Sequence, residues 1–251
     1  MEPFPAWIVM ITEWLGVIAV AWLLSATPRF RKRTVGFRYA RRDGIVALTV
    51  GIVLALIGWT FASSSPGRSL WELIRLPEAA RTLNPLFILS LISLLIALAA
   101  LFLRGQPLKG AGWDPINLRL GLQTGLALAL LTLFLRNRVM DVLNGLSREE
   151  IIYLLVVLGI ALAEETVFRG YVQMRLCWWL GEKQGILATA AFNTLWRLPL
   201  LLAVGAYTSF WISLGMMLGQ AILSGWLMQK TGSVLTTVLY RATSLWMNFY
   251  P

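Results

Sequence analysis

The chain contains no histidine. That absence removes the side chain most used near neutral pH as general base, proton shuttle, zinc ligand and haem ligand, and so excludes every mechanism that needs an imidazole. Cysteine is almost as scarce. Cys177 stands alone, so it closes no intrachain disulfide and cannot by itself build a thiolate metal cage. Charge is thin as well: Asp, Glu, Lys and Arg make up 14% of the chain, where soluble domains carry about 25%. Acidic residues number 12 against 22 Lys and Arg, for a net charge of +10.

What is there is apolar. Of 251 residues 58% are hydrophobic, and the mean hydropathy is +0.71, which excludes an ordinary soluble globule. A helix needs about 20 apolar residues to cross about 30 Å of hydrocarbon. Such runs lie at 6–26, 45–62, 86–103, 118–135, 151–168, 185–204 and 209–228, with a shorter one at 234–249. They are too long and uniform for barrel strands, and only helices or closed barrels satisfy the backbone in a bilayer. The expected fold is therefore an all-α polytopic membrane helix bundle of about eight transmembrane helices, one domain over 1–251. The first run reads as a retained helix: Met1 to Pro5 holds Glu2 and no cation, unlike the basic start of a secretory leader.

The basic excess fits topology better than nucleic acid, which is not expected as a partner. Segment 27–44 carries Arg29, Arg31, Lys32, Arg33, Arg38, Arg41 and Arg42, a strong signal for the cytoplasmic side. Alternation through eight spans then puts the N-terminus outside, with 14 cations on the cytoplasmic side against Arg68, Arg75, Arg81, Arg136, Arg138 and Arg148 on the other. Segment 63–84 begins with Ser, Pro and Gly and has an amphipathic middle, which suggests a short interfacial helix near Leu70 to Leu76.

Charges inside apolar runs are functional candidates, since each costs about 2.5–3.5 kcal/mol to insert. They are Glu13, Glu164, Glu165, Arg197 and Arg241. For Glu13, in the outer third of the first helix, a structural or partly solvated role is expected. The dense cluster is ALAEETVFRGYVQMRL, from Ala161 to Leu176. Adjacent helical positions diverge by about 100°, so Glu164 and Glu165 should face different partners. Glu165 and Arg169 are spaced i,i+4, in the favoured acid-before-base order. Glu164 is left free to face the interior. In a hydrolase it would be the water-activating base, oriented by the Glu165–Arg169 pair; equally, the cluster would serve as a buried ion-pair device that fixes helix packing.

EETVFRG, continuing into YVQMRL, closely resembles the EExxxR motif of the CAAX-protease and bacteriocin-processing family of intramembrane proteins. AAFNTLW resembles that family's second motif, a Phe with a histidine four residues later. TGSVLTTVLYRA resembles the third, in which a histidine follows a Thr-Gly-Ser turn and an Asn lies four residues beyond. The likeness covers about 151–248, so 151–251 is expected to be the CAAX-protease-like core and 1–150 the preceding helices. It implies eight helices in one domain, a bacterial plasma membrane, and a glutamate and two histidines that activate water to cleave a peptide bond, often beside a prenylated cysteine. Glu164, Glu165, Arg169 and Phe192 match. Trp196 replaces the second-motif histidine, Arg241 the third-motif histidine, and Leu245 the Asn.

Each replacement removes chemistry. Trp has one N–H donor and no acceptor, Arg is a permanent cation that only donates, and Leu has no polar group to hold an oxyanion. The catalytic set Glu164, Glu165 and Arg169 is thus expected to be structural, with Glu164 paired to Arg241 or, failing that, Arg197. No metal site and no cofactor are expected. The resulting expectation is a degenerate family member acting as a scaffold subunit of a larger membrane complex, with membrane lipids and other membrane subunits as partners. The alternatives are an active protease based on Glu164, and a protein that binds a lipid, isoprenoid or prenylated ligand or acts in bacteriocin immunity. Trp178 and Trp179 suggest an interfacial belt; Trp196, Trp211, Trp226 and Trp246 are candidates to line a cavity or face a partner. Gly215, Gly219 and Gly225, with Ser213 and Ser224, suggest close helix packing.

Overall fold

A computed structural model describes residues 6–26, 36–70, 75–203 and 210–249, and among these every regular element is helical. The order is α1 (Ala6–Ser25), α2 (Ala40–Ser63), α3 (Ser65–Leu70), α4 (Asn84–Leu103), α5 (Pro115–Leu135), α6 (Val139–Leu143) and α7 (Arg148–Glu165). A π-helical segment, Thr166–Gln173, follows, then α8 (Met174–Leu180), α9 (Glu182–Ala203), α10 (Phe210–Thr231) and α11 (Val234–Phe249). Two short 3-10 turns, Glu78–Leu83 and Leu108–Ala111, precede α4 and α5.

Among the described residues seven helical stretches are long and apolar enough to cross a membrane, one fewer than the eight expected; α11, with 16 residues, is shorter than these. The starts obey local chemistry. Ser147 caps α7 by accepting from the Glu150 backbone N–H while the Glu150 carboxylate accepts from the Ser147 N–H, at 3.2 and 2.7 Å. Asp114 caps α5, accepting from Ile116 N at 3.2 Å.

One boundary expectation changes. The fifth span does not end at Phe168: residues 148–180 form one continuous 33-residue stretch, stopped only at Gly181, whose φ of +89° suits glycine. The helix expected near Leu70 to Leu76 falls largely on residues 71–74, which lie outside the described residues, as do Met1 to Pro5 and Arg29, Arg31, Lys32 and Arg33.

Polarity is arranged as a bilayer requires. Leu15, Trp22, Leu95, Phe134 and Leu155 are exposed, whereas Glu13, Asp43, Glu164, Glu165, Arg169, Arg175 and Arg241 are buried. The π-helical segment is the hub. It meets α2, α4, α7, α8, α9, α10 and α11, and the Leu108–Ala111 turn. Gly170 lets the Leu108–Ala111 turn come close, because a Cβ there would collide with the Ala111 carbonyl oxygen.

A ladder of glycines on α2, spaced by seven residues and therefore on one face, receives the bulky side of α8 and α9. A Cβ on Gly44 would stand 2.6 Å from Trp179, and one on Gly51 would stand 2.8 Å from Phe192; on Gly58 it would run into the Trp196 carbonyl oxygen. The glycines of α10 likewise serve contacts within the chain, Gly219 against Trp14 and Gly225 against Gln173, while Gly215 faces open space. Because backbone cannot yield as a side-chain tip can, Gly58→Ala should destabilise the protein by about 1–3 kcal/mol. Thermal unfolding in detergent checks this, with Gly215→Ala as the variant expected to melt like the wild type.

Candidate functional site

The EETVFRG motif spans the point where α7 turns into the π-helical segment, a kind of irregularity that recurs at functional sites. Glu164 and Glu165 are both buried, 1% and 2% exposed. Arg241, from α11, places Nη2 2.9 Å from Glu164 Oε2 and Nε 3.5 Å from Glu165 Oε1. Arg197, from α9, brings Nε to 3.8 Å from Glu164 Oε1, and the Ser90 hydroxyl of α4 lies 3.5 Å from the same oxygen. Within the motif, Arg169 Nε stands 3.4 Å from Glu165 Oε2.

The expected i,i+4 contact and the Glu164–Arg241 contact are both present. The expectation that adjacent glutamates face different partners needs correction. Arg241 meets both, because a planar guanidinium with five donors is wide enough to bridge carboxylates that diverge by one helical position. Glu164 is accordingly not a free carboxylate facing the interior. Two carboxylates and three guanidiniums gather here, one cation in surplus. Arg169 is fully buried and its two Nη atoms make no hydrogen bond among the described residues.

Trp196 is fully buried, donates from Nε1 to Ser93 Oγ at 3.0 Å and packs edge-on against Phe168 with ring centroids 5.3 Å apart. Ser90 and Ser93 sit on neighbouring turns of α4, so one helix touches both the glutamate cluster and the indole. Phe192 sits on Gly51. Leu245 lines a cavity of about 360 Å³ whose wall also includes Arg197, Arg241, Gln220, Met216 and Met217. None of Trp196, Trp211, Trp226 and Trp246 borders it: Trp196 and Trp246 are buried in packing, and Trp211 is 79% exposed on α10. Of the two expected interfacial tryptophans, Trp178 is half exposed and donates to the Phe37 carbonyl at 3.0 Å, and Trp179 packs on Gly44.

Glu13 lies apart from the motif. It is fully buried rather than partly solvated, held by Arg136 through Nε at 2.9 Å and Nη2 at 2.7 Å. The Cys177 sulfur makes a 3.6 Å contact with the Glu182 carbonyl oxygen and borders no cavity wall described above. Among the described residues no three carboxylates or thiols gather as a metal cage.

Ser90 and Ser93 escaped sequence reasoning, being small residues in a run of Leu and Ile. Their spacing of three on an otherwise apolar helix was the available signal. The π-helical segment left no signal in the periodicity.

The bundle and this cluster define the class: a polytopic helical membrane protein with an acid–guanidinium core at the motif helix. Residues 147–247 match the family model described as Type II CAAX prenyl endopeptidase Rce1-like, so the likeness carried by EETVFRG extends across this segment, about two-fifths of the chain. No curated protein and no solved structure matches the chain.

Removing one partner from a buried ion pair strands the other, at a cost of about 3–5 kcal/mol. Glu164→Gln and Arg241→Gln should each lower stability on that scale, and the double variant should lose clearly less than the sum. A double-mutant cycle on detergent unfolding measures the coupling; additive losses would show that the two side chains do not depend on each other.

Proposed function

We propose that this protein is a catalytically degenerate CAAX-endopeptidase-like membrane protein that serves as a non-proteolytic scaffold subunit of a larger membrane complex. The observation that carries the reading is the 2.9 Å contact between Arg241 and Glu164. A general base must be free to take a proton from water. Here the candidate base is held by a permanent cation at the third-motif histidine position, and the second-motif position holds an indole that can accept nothing. Glu164, Glu165 and Arg169 on this view tie α7, α9 and α11 together. Large apolar surfaces such as those of Phe134 and Trp211 suit lipid or other membrane subunits as neighbours, in a bacterial plasma membrane with the basic segment 27–44 on the cytoplasmic face.

One observation favours a second reading, that the protein holds a lipid, isoprenoid or prenylated ligand. The 360 Å³ cavity reaches Arg197 and Arg241 beneath an otherwise largely apolar wall, within the size range of small-molecule sites, about 300–1,000 Å³. Scaffold and ligand binding are compatible, since both leave Glu164 out of chemistry.

The test is purified protein in liposomes with a farnesylated CAAX peptide, wild type beside Glu164→Gln. The expected outcome is no cleavage above background by either. Turnover lost in the variant would establish an active glutamate-dependent protease and end the scaffold reading. Purification in mild detergent should in addition bring down stoichiometric membrane partners, and a lone monomer would count against the scaffold role.

A further inference from the structure

A second charged assembly lies outside the motif, at the end of the bundle where α2 begins and α4 ends. Arg175, fully buried in α8, is its centre. Its Nη1 donates to the carbonyls of Gly110 at 3.0 Å and Tyr171 at 2.7 Å, and its Nη2 donates to Gln106 Oε1 at 2.5 Å. The guanidinium also lies 3.9 Å from the Tyr171 ring centroid and 4.8 Å from that of Phe37. Gln106 passes the chain of contacts on, donating to Asp43 Oδ1 at 3.1 Å, and Asp43 accepts Arg104 Nη2 at 2.6 Å. One buried cation therefore clamps the Phe37 segment, the 106–110 turn and the start of α2 into a fixed frame.

That frame encloses a pocket of about 540 Å³. Its wall carries Arg38, Arg42, Arg104 and Lys109 against the single carboxylate of Asp43. Asp43 is already taken by Arg104 and Gln106, so it neutralises none of the other three cations. The rim runs onto apolar surface, since Leu103, which lines the pocket, is 88% exposed and its neighbour Phe102 is 65% exposed. Orienting a helix needs positive charge in a loop but does not need a walled pocket with a buried guanidinium beneath it.

We propose that this pocket binds the phosphate of an anionic phospholipid from the leaflet at the basic end of the bundle. Arg38, Arg42 and Lys109 meet the phosphate, Arg104 holds Asp43 away from it, and the acyl chains lie along Leu103 and Phe102. The occupant is a lipid and not a soluble anion because cationic wall and lipid-facing apolar residues form one continuous surface. Basic pockets at this depth suit anionic headgroups, each cation near the surface contributing attraction that salt screens only partly. The site is remote from Glu164 and holds whether or not the protein cleaves peptides.

Native mass spectrometry of the full chain, released from mixed micelles of phosphatidylglycerol and phosphatidylcholine with identical acyl chains, reads the binding directly. Wild type should retain phosphatidylglycerol over phosphatidylcholine by about tenfold or more. The triple variant Arg38→Gln, Arg42→Gln, Lys109→Gln changes only exposed side chains and should bring that ratio close to one at an unchanged melting temperature. Lys109→Arg should keep the preference. An equal ratio in the wild type, or an undiminished one in the triple variant, overturns the proposal. Inorganic phosphate at the lipid's concentration should leave the lipid bound; displacement by it would assign the pocket to a soluble phosphate and overturn the lipid source.

Discussion

The contact on which the rest of the structure depends is that between Arg241 and the glutamate pair. Two adjacent carboxylates in a span surrounded by hydrocarbon are tolerable only with cations in reach, since neither water nor lipid tails can stabilise them there. The cations come from different parts of the chain: Arg169 one turn on in the π-helical segment, Arg197 from α9 and Arg241 from α11. Satisfying the electrostatics therefore fixes three elements relative to α7. The bilayer supplies no hydrophobic drive between helices, so such polar ties, together with close backbone contacts, carry the specificity of packing.

The close contacts are arranged to serve those ties. The Gly44, Gly51 and Gly58 ladder lets α9 lie hard against α2, which holds Phe192 and Trp196 in place and leaves Arg197, the next residue, turned toward Glu164. On the other side Gly170 admits the Ala111 carbonyl, bringing the 108–111 turn onto the π-helical segment and within reach of Arg175. Two guanidinium-centred assemblies thus occupy one long helix about two turns apart. Arg241 closes the one around the glutamates with side chains of the bundle interior, and Arg175 closes the one at the basic end largely with backbone carbonyls.

Much of this was legible in the sequence. Apolar run lengths give the spans because the bilayer imposes a minimum length, and apart from the long motif helix each observed spanning helix lies within about five residues of its run. The Glu165–Arg169 contact follows from spacing, and the Arg241 contact from a permanent cation at a position where the resembled family has histidine. Other features were not legible for physical reasons. Hydrophobic periodicity does not distinguish α from π in a segment buried on all sides, so the long motif helix looked shorter than it is. The meeting of Arg241 with both glutamates depends on where α11 sits, which local sequence does not encode. Asp43, Gln106 and Arg175 are separated by more than sixty residues at each step, and no motif joins them before the chain folds.

Trp196 and Arg241, at the two positions where the resembled motifs have histidine, are of opposite character, and each suits its surroundings. Trp196 meets Phe168 and a serine hydroxyl, where a large apolar ring with a single donor fits and a charge would be stranded. Arg241 meets two carboxylates, where a neutral side chain would leave Glu164 with the longer Arg197 contact and Glu165 with Arg169 alone. Exchanging the two residues would fail at both ends: a guanidinium in place of Trp196 would meet a serine hydroxyl and an aromatic edge instead of a carboxylate, and an indole in place of Arg241 would remove the cation that bridges Glu164 and Glu165. A glutamate pair inside a membrane needs cations in reach, and Arg241 differs from Arg169 and Arg197 in meeting both carboxylates at once, which is what ties α11 to the end of α7.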